Sequence, residues 1–175
     1  LIKIYNKYPL EELIIHPRTQ KDFYGNKPNL EIFKDALSLS KHSICYNGDI
    51  FTVEDHNNIK GLFPTVDKMM LGRGILANPG LIHEIKNNAL INKEMLEGFH
   101  EEIFQKYREV FGDDKYALFR MKELWGYMIY IFSNSKAYSM EIKKSQNIDE
   151  YNEAVSKLLK EQEIVAGAGL FTKQD

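Results

Sequence analysis

The chain has 175 residues, 43% hydrophobic and 12% aromatic, which suits one ordinary globular domain or two small ones. Its 23 Lys+Arg against 25 Asp+Glu exclude a protein that is basic throughout, so any contact with nucleic acid needs a local patch. The single cysteine, Cys45, excludes an internal disulfide framework, and no apolar run is long enough to span a membrane; a reducing cytoplasm is the expected setting.

The first residues, Leu1-Ile2-Lys3-Ile4-Tyr5-Asn6-Lys7-Tyr8, start without Met and already inside a periodic apolar pattern. They read as the tail of an amphipathic helix closed by Pro9, with no basic-then-apolar leader visible, and suggest a piece of a longer protein. Leu13-Ile14-Ile15 is a short apolar run that reads as a buried strand, ending in the polar loop His16-Pro17-Arg18-Thr19. A helix is expected over 30–40, with Ile32, Phe33, Ala36, Leu37 and Leu39 as its apolar face. The next strand, 43–46, stops at the turn Asn47-Gly48-Asp49-Ile50. A helix over 52–60 follows, with Thr52 as N-cap, Asp55 in the reciprocal position and Gly61 as its breaker. A third strand, 67–71, runs into Gly72-Arg73-Gly74, and Asn78-Pro79 opens another helix with Pro79 at its first position.

Residues 9 to about 88 thus alternate strand and helix, which argues for a parallel sheet buried on both faces. Polar residues gather at one end of every strand: His16 and Arg18, Asn47 and Asp49, Gly72 and Arg73. That is the functional end of a β/α barrel. Two successive strands that end in glycine turns point to a phosphorylated ligand, because glycine lets backbone N–H groups approach an anion. The plainer alternative is that Asn47-Gly48 and Gly72 are ordinary turn residues.

From about residue 91 the pattern is helical throughout, and this half is expected to be a separate domain. Met95, Phe99, Ile103, Tyr107 and Val110 mark one helix, and a long one is expected over 115–134 with Phe119, Leu124, Trp125, Met128, Ile131 and Phe132. Shorter helices are expected over 138–143 and 149–161, and 165–169 as loose tail. Between 115 and 144, Lys115, Arg120, Lys122, Lys136, Lys143 and Lys144 stand against only Glu123 and Glu141, with Tyr116, Trp125, Tyr127, Tyr130 and Tyr138 interleaved. Cations among aromatics suit RNA. Aromatic stripes at helical spacing usually pack inward, however, and the residues alone favour that reading.

As candidate chemistry, His16 and Arg18 at a strand end can bond a polar ring and an anion. Arg73 has the forked donors that suit phosphate. Asn47 can bond an amide or phosphate, whereas the Asp49 carboxylate would repel phosphate and better orients its loop. Cys45, with no cation beside it in sequence, reads as core rather than nucleophile. No spacing suited to metal ligands and no Ser-His-Asp set is visible.

His16-Pro17-Arg18-Thr19, Asn47-Gly48-Asp49-Ile50 and Met70-Leu71-Gly72-Arg73-Gly74, with Asn78-Pro79 beyond, resemble the second half of a tRNA-dihydrouridine synthase. The resemblance implies an α/β partial TIM barrel, its last three βα units in 1–90, followed by an all-α, tRNA-binding domain in 91–175. It implies FMN as cofactor, with His16 at the flavin ring and Arg18, Asn47, Gly48, Asp49, Gly72 and Arg73 in the cofactor site. It implies NADPH as reductant, with hydride passing by way of FMN to C6 of a uracil in tRNA and a cysteine protonating C5. Arg120, Lys122, Lys136, Lys143 and Lys144 would then serve the RNA.

The departures are as informative. The family's Asn-x-Gly-Cys-Pro motif, its Lys-x-Arg strand and its flavin-binding Pro-Met segment do not occur here, and Cys45 is not the catalytic cysteine. A complete barrel takes about 250 residues. The chain is therefore expected to be inactive alone and to need the missing N-terminal half of the barrel as partner. It is also expected to hold FMN weakly and to self-associate through open strand edges or its inner face, where some of Leu13, Ile15, Ile44, Tyr46, Met69 and Leu71 would point. The alternatives are a fragment of another FMN-dependent barrel oxidoreductase acting on a small molecule, and a non-enzymatic helical interaction module.

Overall fold

A computed structural model describes residues 1–22, 25–165 and 167. Their contacts divide the chain into two compact units. One comprises Leu1–Ile50 and Glu54–Gly72; the other comprises Phe51–Val53 and the described residues from Arg73 onward.

The first unit is built on a three-stranded parallel sheet in the order β1 (Glu12–Ile15), β2 (Ser43–Asn47), β3 (Lys68–Met70). Leu13 stands beside Ile44, Ile15 beside Tyr46, and Tyr46 beside Met69. Since side chains alternate along a strand, these residues share one face. They pack with Phe33 of α2 (Leu30–Leu39), Ile59 of α3 (Val53–Leu62) and the following Phe63 and Val66. Phe33 is fully buried, with ring centroids 4.9 Å from Tyr46 and 5.0 Å from Phe63, both edge-on. Asn29 caps α2, its Oδ1 accepting the Ile32 N–H at 3.0 Å.

The register corrects two expectations. The sheet is not buried on both faces: Ile14 and Met70, opposite the helices, are 50% and 41% exposed. Nor do any of Leu13, Ile15, Ile44, Tyr46, Met69 and Leu71 turn to that side, for all six belong to the helix-covered cluster. Leu13-Ile14-Ile15 and Met69-Met70-Leu71 are apolar at every position, so composition could not tell their two faces apart; the two-residue period does.

Other boundaries shift for local reasons. The N-terminal helix α1 is one turn, Ile2–Tyr5, without a buried residue. It is tied down by polar bonds instead: Asn6 Nδ2 donates to the Leu39 carbonyl at 2.7 Å, and Asn6 Oδ1 accepts the Lys41 N–H at 2.9 Å. Gly61 does not break α3, which runs through it to Leu62; an interior glycine costs only about 1 kcal/mol.

In the second unit, α4 (Arg73–Ala77) occupies what looked like a turn, and the next helix, α5 (Leu81–Asn87), begins two residues after Pro79. Asn78 makes a turn between them, its Oδ1 accepting the Gly80 N–H at 2.9 Å while its Nδ2 donates to the buried Glu84 Oε1 at 3.0 Å. Among the described residues four longer helices follow: α6 (Lys93–Phe111), α7 (Asp114–Met128), α8 (Ser135–Lys144) and α9 (Ile148–Glu161). The α6 stripe is displaced by one residue from expectation. Leu96, His100 and Phe104 are buried, Phe99, Ile103 and Tyr107 flank them, and Met95 and Val110 are exposed. The helix expected over 115–134 ends at Met128, tightens into a 3-10 turn over Ile129–Ile131 and leaves Phe132 extended, bridged to Ile164. Phe119, grouped by spacing with Leu124 and Trp125, is 57% exposed.

Leu96, Met121, Met128 and Leu158 are fully buried in this unit's core. Each contributes about 1.5–3 kcal/mol over an exposed position. Within the expected tail, 166, 168 and 169 lie outside the described residues.

Candidate functional site

The loops after β1 and β2 are joined by a hydrogen-bonded network. His16 Nδ1 lies 2.8 Å from the Asn47 carbonyl oxygen. A carbonyl only accepts, so Nδ1 carries the proton. Arg18 Nη1 donates to Asp49 Oδ1 at 2.9 Å, and its Nη2 pairs with Asp49 Oδ2, a two-pronged ion pair between the loops. The same guanidinium donates from Nε and Nη2 to the Asn26 carbonyl at 2.9 and 2.6 Å, and Nη1 reaches His16 Nε2 at 3.4 Å. The Arg18 side chain is 3% exposed and the Asp49 side chain 30%. The Asp49 hydrogen bond raises the Arg18 pKa above its ordinary value, against the desolvation that lowers it. Asn47 Nδ2 donates to the Met70 carbonyl at 2.9 Å, fastening the β2 loop to the end of β3. Asp22 closes the β1 loop by accepting the Thr19 N–H and hydroxyl at 2.6 and 2.8 Å. These bonds, the Thr19 backbone first, hold its carboxyl pKa below the usual range.

The two turn glycines differ physically. A Cβ on Gly48 would stand 2.1 Å from the Tyr46 hydroxyl oxygen and 2.4 Å from its ring carbon Cζ. Tyr46 is buried, and burial first, then the Asp49 charge, pushes its pKa up to about 12. Gly48 is thus required by the ring beneath it. Gly72 has no described atom within 4 Å of the corresponding point. Folding makes no steric demand for glycine there, which leaves room for a ligand. In the second unit, Arg73 begins α4, and its guanidinium carbon lies 5.3 Å from the centroid of the Phe51 ring.

Cys45 is 5% exposed between β1 and β3, and burial, then Glu12, pushes its thiol pKa up. A neutral buried thiol is a poor nucleophile.

The five candidate RNA residues separate. Arg120 is paired with Glu123 at 2.7 Å, and Lys122 donates to the Ser145 carbonyl, fastening α7 to the end of α8. Lys136, Lys143 and Lys144 are exposed on α8. Among the interleaved aromatics Trp125 and Tyr138 are core, while Tyr116 and Tyr130 are exposed.

Three participants escaped the sequence reading. Asn26 acts through its backbone carbonyl, which no residue type reveals. Tyr46 sits in an apolar strand, and only its spacing of two from Gly48 hints at the contact. His100 occupies an apolar helical position and bonds Tyr151 inside the helical core, Nε2 to Oη 2.6 Å, where Trp125 Nε1–H also donates at 2.8 Å.

A parallel β/α unit with its polar and glycine residues on the loops after adjacent strands, in one chain with a helical unit, defines an α/β protein. Comparison with known proteins is narrower. The model of the dihydrouridine synthase family matches residues 2–171. The chain is 24% identical over 156 residues to the tRNA-dihydrouridine(16) synthase of Neisseria meningitidis serogroup B, covering 85% of this chain and 46% of that protein. It is 31% identical over 74 residues to the enzyme of the same name from Pseudomonas syringae pv. tomato, covering 42% of this chain and 23% of that one. The chain belongs to the dihydrouridine synthase family. It spans less than half the length of the curated relatives it matches.

Proposed function

We propose that this chain is the C-terminal part of an FMN-dependent tRNA-dihydrouridine synthase: the last βα units of the flavin barrel in 1–90 and a tRNA-binding helical domain in 91–175. The observation that carries this reading is the family match together with three adjacent parallel strands whose C-terminal loops hold His16 and Arg18, Asn47 to Asp49, and Gly72. This assignment counts α4 and α5 with the barrel, although their contacts group them with the helices.

The open side of Gly72 is compatible with a flavin phosphate, since a backbone there can approach an anion without steric hindrance. His16 would meet the flavin ring, and Asn47, Gly48, Gly72 and Arg73 the ribityl-phosphate end. Arg18 and Asp49 serve the site by bracing its loops, since their charges meet each other. When bound, FMN supplies hydride transfer between NADPH and the C5=C6 bond of uracil. This chain offers no proton for C5 from Cys45, so the acid comes from outside it. The open sheet side at Ile14 and Met70 is where the rest of the barrel packs. The target is the uridine at position 16 of tRNA, the position carried in the names of the matched relatives. Lys136, Lys143 and Lys144 are the cations that face the RNA backbone, and the compartment is the cytoplasm.

The test is a pair of binding titrations on the whole chain. FMN fluorescence should be quenched saturably and restored by inorganic phosphate. Binding of tRNA should weaken with salt, with a log-log slope shallower by about 1 for each of Lys143→Gln and Lys144→Gln. Salt-insensitive or absent tRNA binding, with FMN retained, would favour a small-molecule oxidoreductase.

A further inference from the structure

His16 is exposed, yet both of its ring nitrogens are held. Its Nδ1 faces the Asn47 carbonyl at 2.8 Å, an acceptor with no hydrogen to give. Its Nε2 faces Arg18 Nη1 at 3.4 Å, a guanidinium nitrogen with no lone pair to give. The two neighbours demand the same state of the imidazole: hydrogen on Nδ1, lone pair on Nε2. Neither neighbour is free to move away. The carbonyl belongs to the last residue of β2, and the Asn47 side chain is itself bonded to the Met70 carbonyl. Arg18 is clamped on its other edges by Asp49 and by the Asn26 carbonyl.

We propose that Arg18 is a positioning residue that helps the Asn47 carbonyl hold His16 in the Nδ1–H tautomer, with the one Nε2 lone pair turned to Arg18 Nη1, so that His16 offers its ligand no N–H donor at Nε2. A ligand N–H or O–H could bond Nε2 only by sharing that lone pair with Arg18 Nη1. A carbonyl or phosphate oxygen would face a lone pair there. Asp49 acts one step further back, by holding the Arg18 fork. The proposal rests on the flavin reading only for the identity of the ligand; the tautomer follows from the chain's own atoms.

The experiment is 15N NMR of the histidine-labelled whole chain at mildly alkaline pH, with His16 assigned by its loss in His16→Gln. The expected spectrum has His16 Nδ1 protonated and Nε2 unprotonated. In Arg18→Gln/Asp49→Asn, which removes both charges together so that neither is left unpaired, a signal of the opposite tautomer should grow in. Arg18→Lys, which keeps one donor but not the fork, should give an intermediate mixture. A protonated Nε2 in the wild-type chain would overturn the proposal, as would a tautomer unchanged in both variants. Added FMN should shift the Nε2 resonance while leaving it unprotonated; protonation of Nε2 on binding would contradict the proposal. No FMN effect with the tautomer as expected would overturn the flavin reading and leave the Arg18 assignment standing.

Discussion

Arg18 and Asp49, one on each of two neighbouring strand-end loops, meet nitrogen for oxygen on both prongs, and the arginine side chain is almost wholly enclosed. Removing one partner of such a pair leaves an uncompensated charge, which matters more than the loss of attraction. Arg18→Ala should therefore destabilise the first unit by roughly 2–3 kcal/mol, below the figure for a fully buried pair because Asp49 is partly solvated. Arg18→Gln/Asp49→Asn should recover most of that loss. Urea melts of the three chains check the order; equal losses in the single and double variants would contradict it.

Gly48 and Gly72 look alike in sequence and should respond differently to the same substitution. Gly48→Ala places a methyl group against the Tyr46 ring and should cost about 1–3 kcal/mol. Gly72→Ala meets no described atom and should leave the melting temperature within a degree or so of wild type, while FMN quenching falls at least tenfold. Thermal melts and FMN titrations on both variants separate folding from binding. Unimpaired FMN binding by Gly72→Ala would remove this glycine from the site.

The helical core carries its own acid sensitivity. Burial lowers the His100 pKa from 6.5 to about 4. Over that interval the unfolded chain holds the extra proton, so stability falls as pH falls and the loss levels off below about 4. The sum is about 3 kcal/mol, at 1.36 kcal/mol per pKa unit. His100→Gln should flatten this part of the profile. Tyr151→Phe should cost about 1–3 kcal/mol at neutral pH by leaving the Trp125 N–H without its acceptor. Denaturant midpoints across this pH range test both.

Ile14 and Met70 lie on the sheet side away from α2 and α3. Open strand edges beside an apolar surface recruit other chains. Sedimentation velocity should show concentration-dependent association of the chain, and Ile14→Lys/Met70→Lys should shift it towards monomer. A monomer at every concentration would contradict this.

Much of this was legible in the sequence, for identifiable reasons. The three strands announce themselves as short apolar runs stopped by His16-Pro17, Asn47-Gly48 and Gly72, and α6, α7 and α9 by the helical spacing of their apolar residues. The sidedness of the sheet was hidden because Ile14 and Met70 are as apolar as their neighbours. The α6 stripe was misplaced because its centre is a histidine. The bracing of His16 was hidden because half of it runs through the carbonyls of Asn26 and Asn47. Arg120 and Lys122 looked like free cations until Glu123 and the Ser145 carbonyl were seen to hold them.

The central claim is that this chain serves dihydrouridine formation in tRNA. The direct measurement is the dihydrouridine profile of tRNA, mapped position by position by mass spectrometry, from cells with and without the gene that encodes the chain. The account predicts that deletion removes dihydrouridine at position 16 alone, leaving a uridine lighter by two hydrogens. The gene should restore it, and the same gene carrying Arg73→Ala should not. An unchanged profile after deletion would contradict the account.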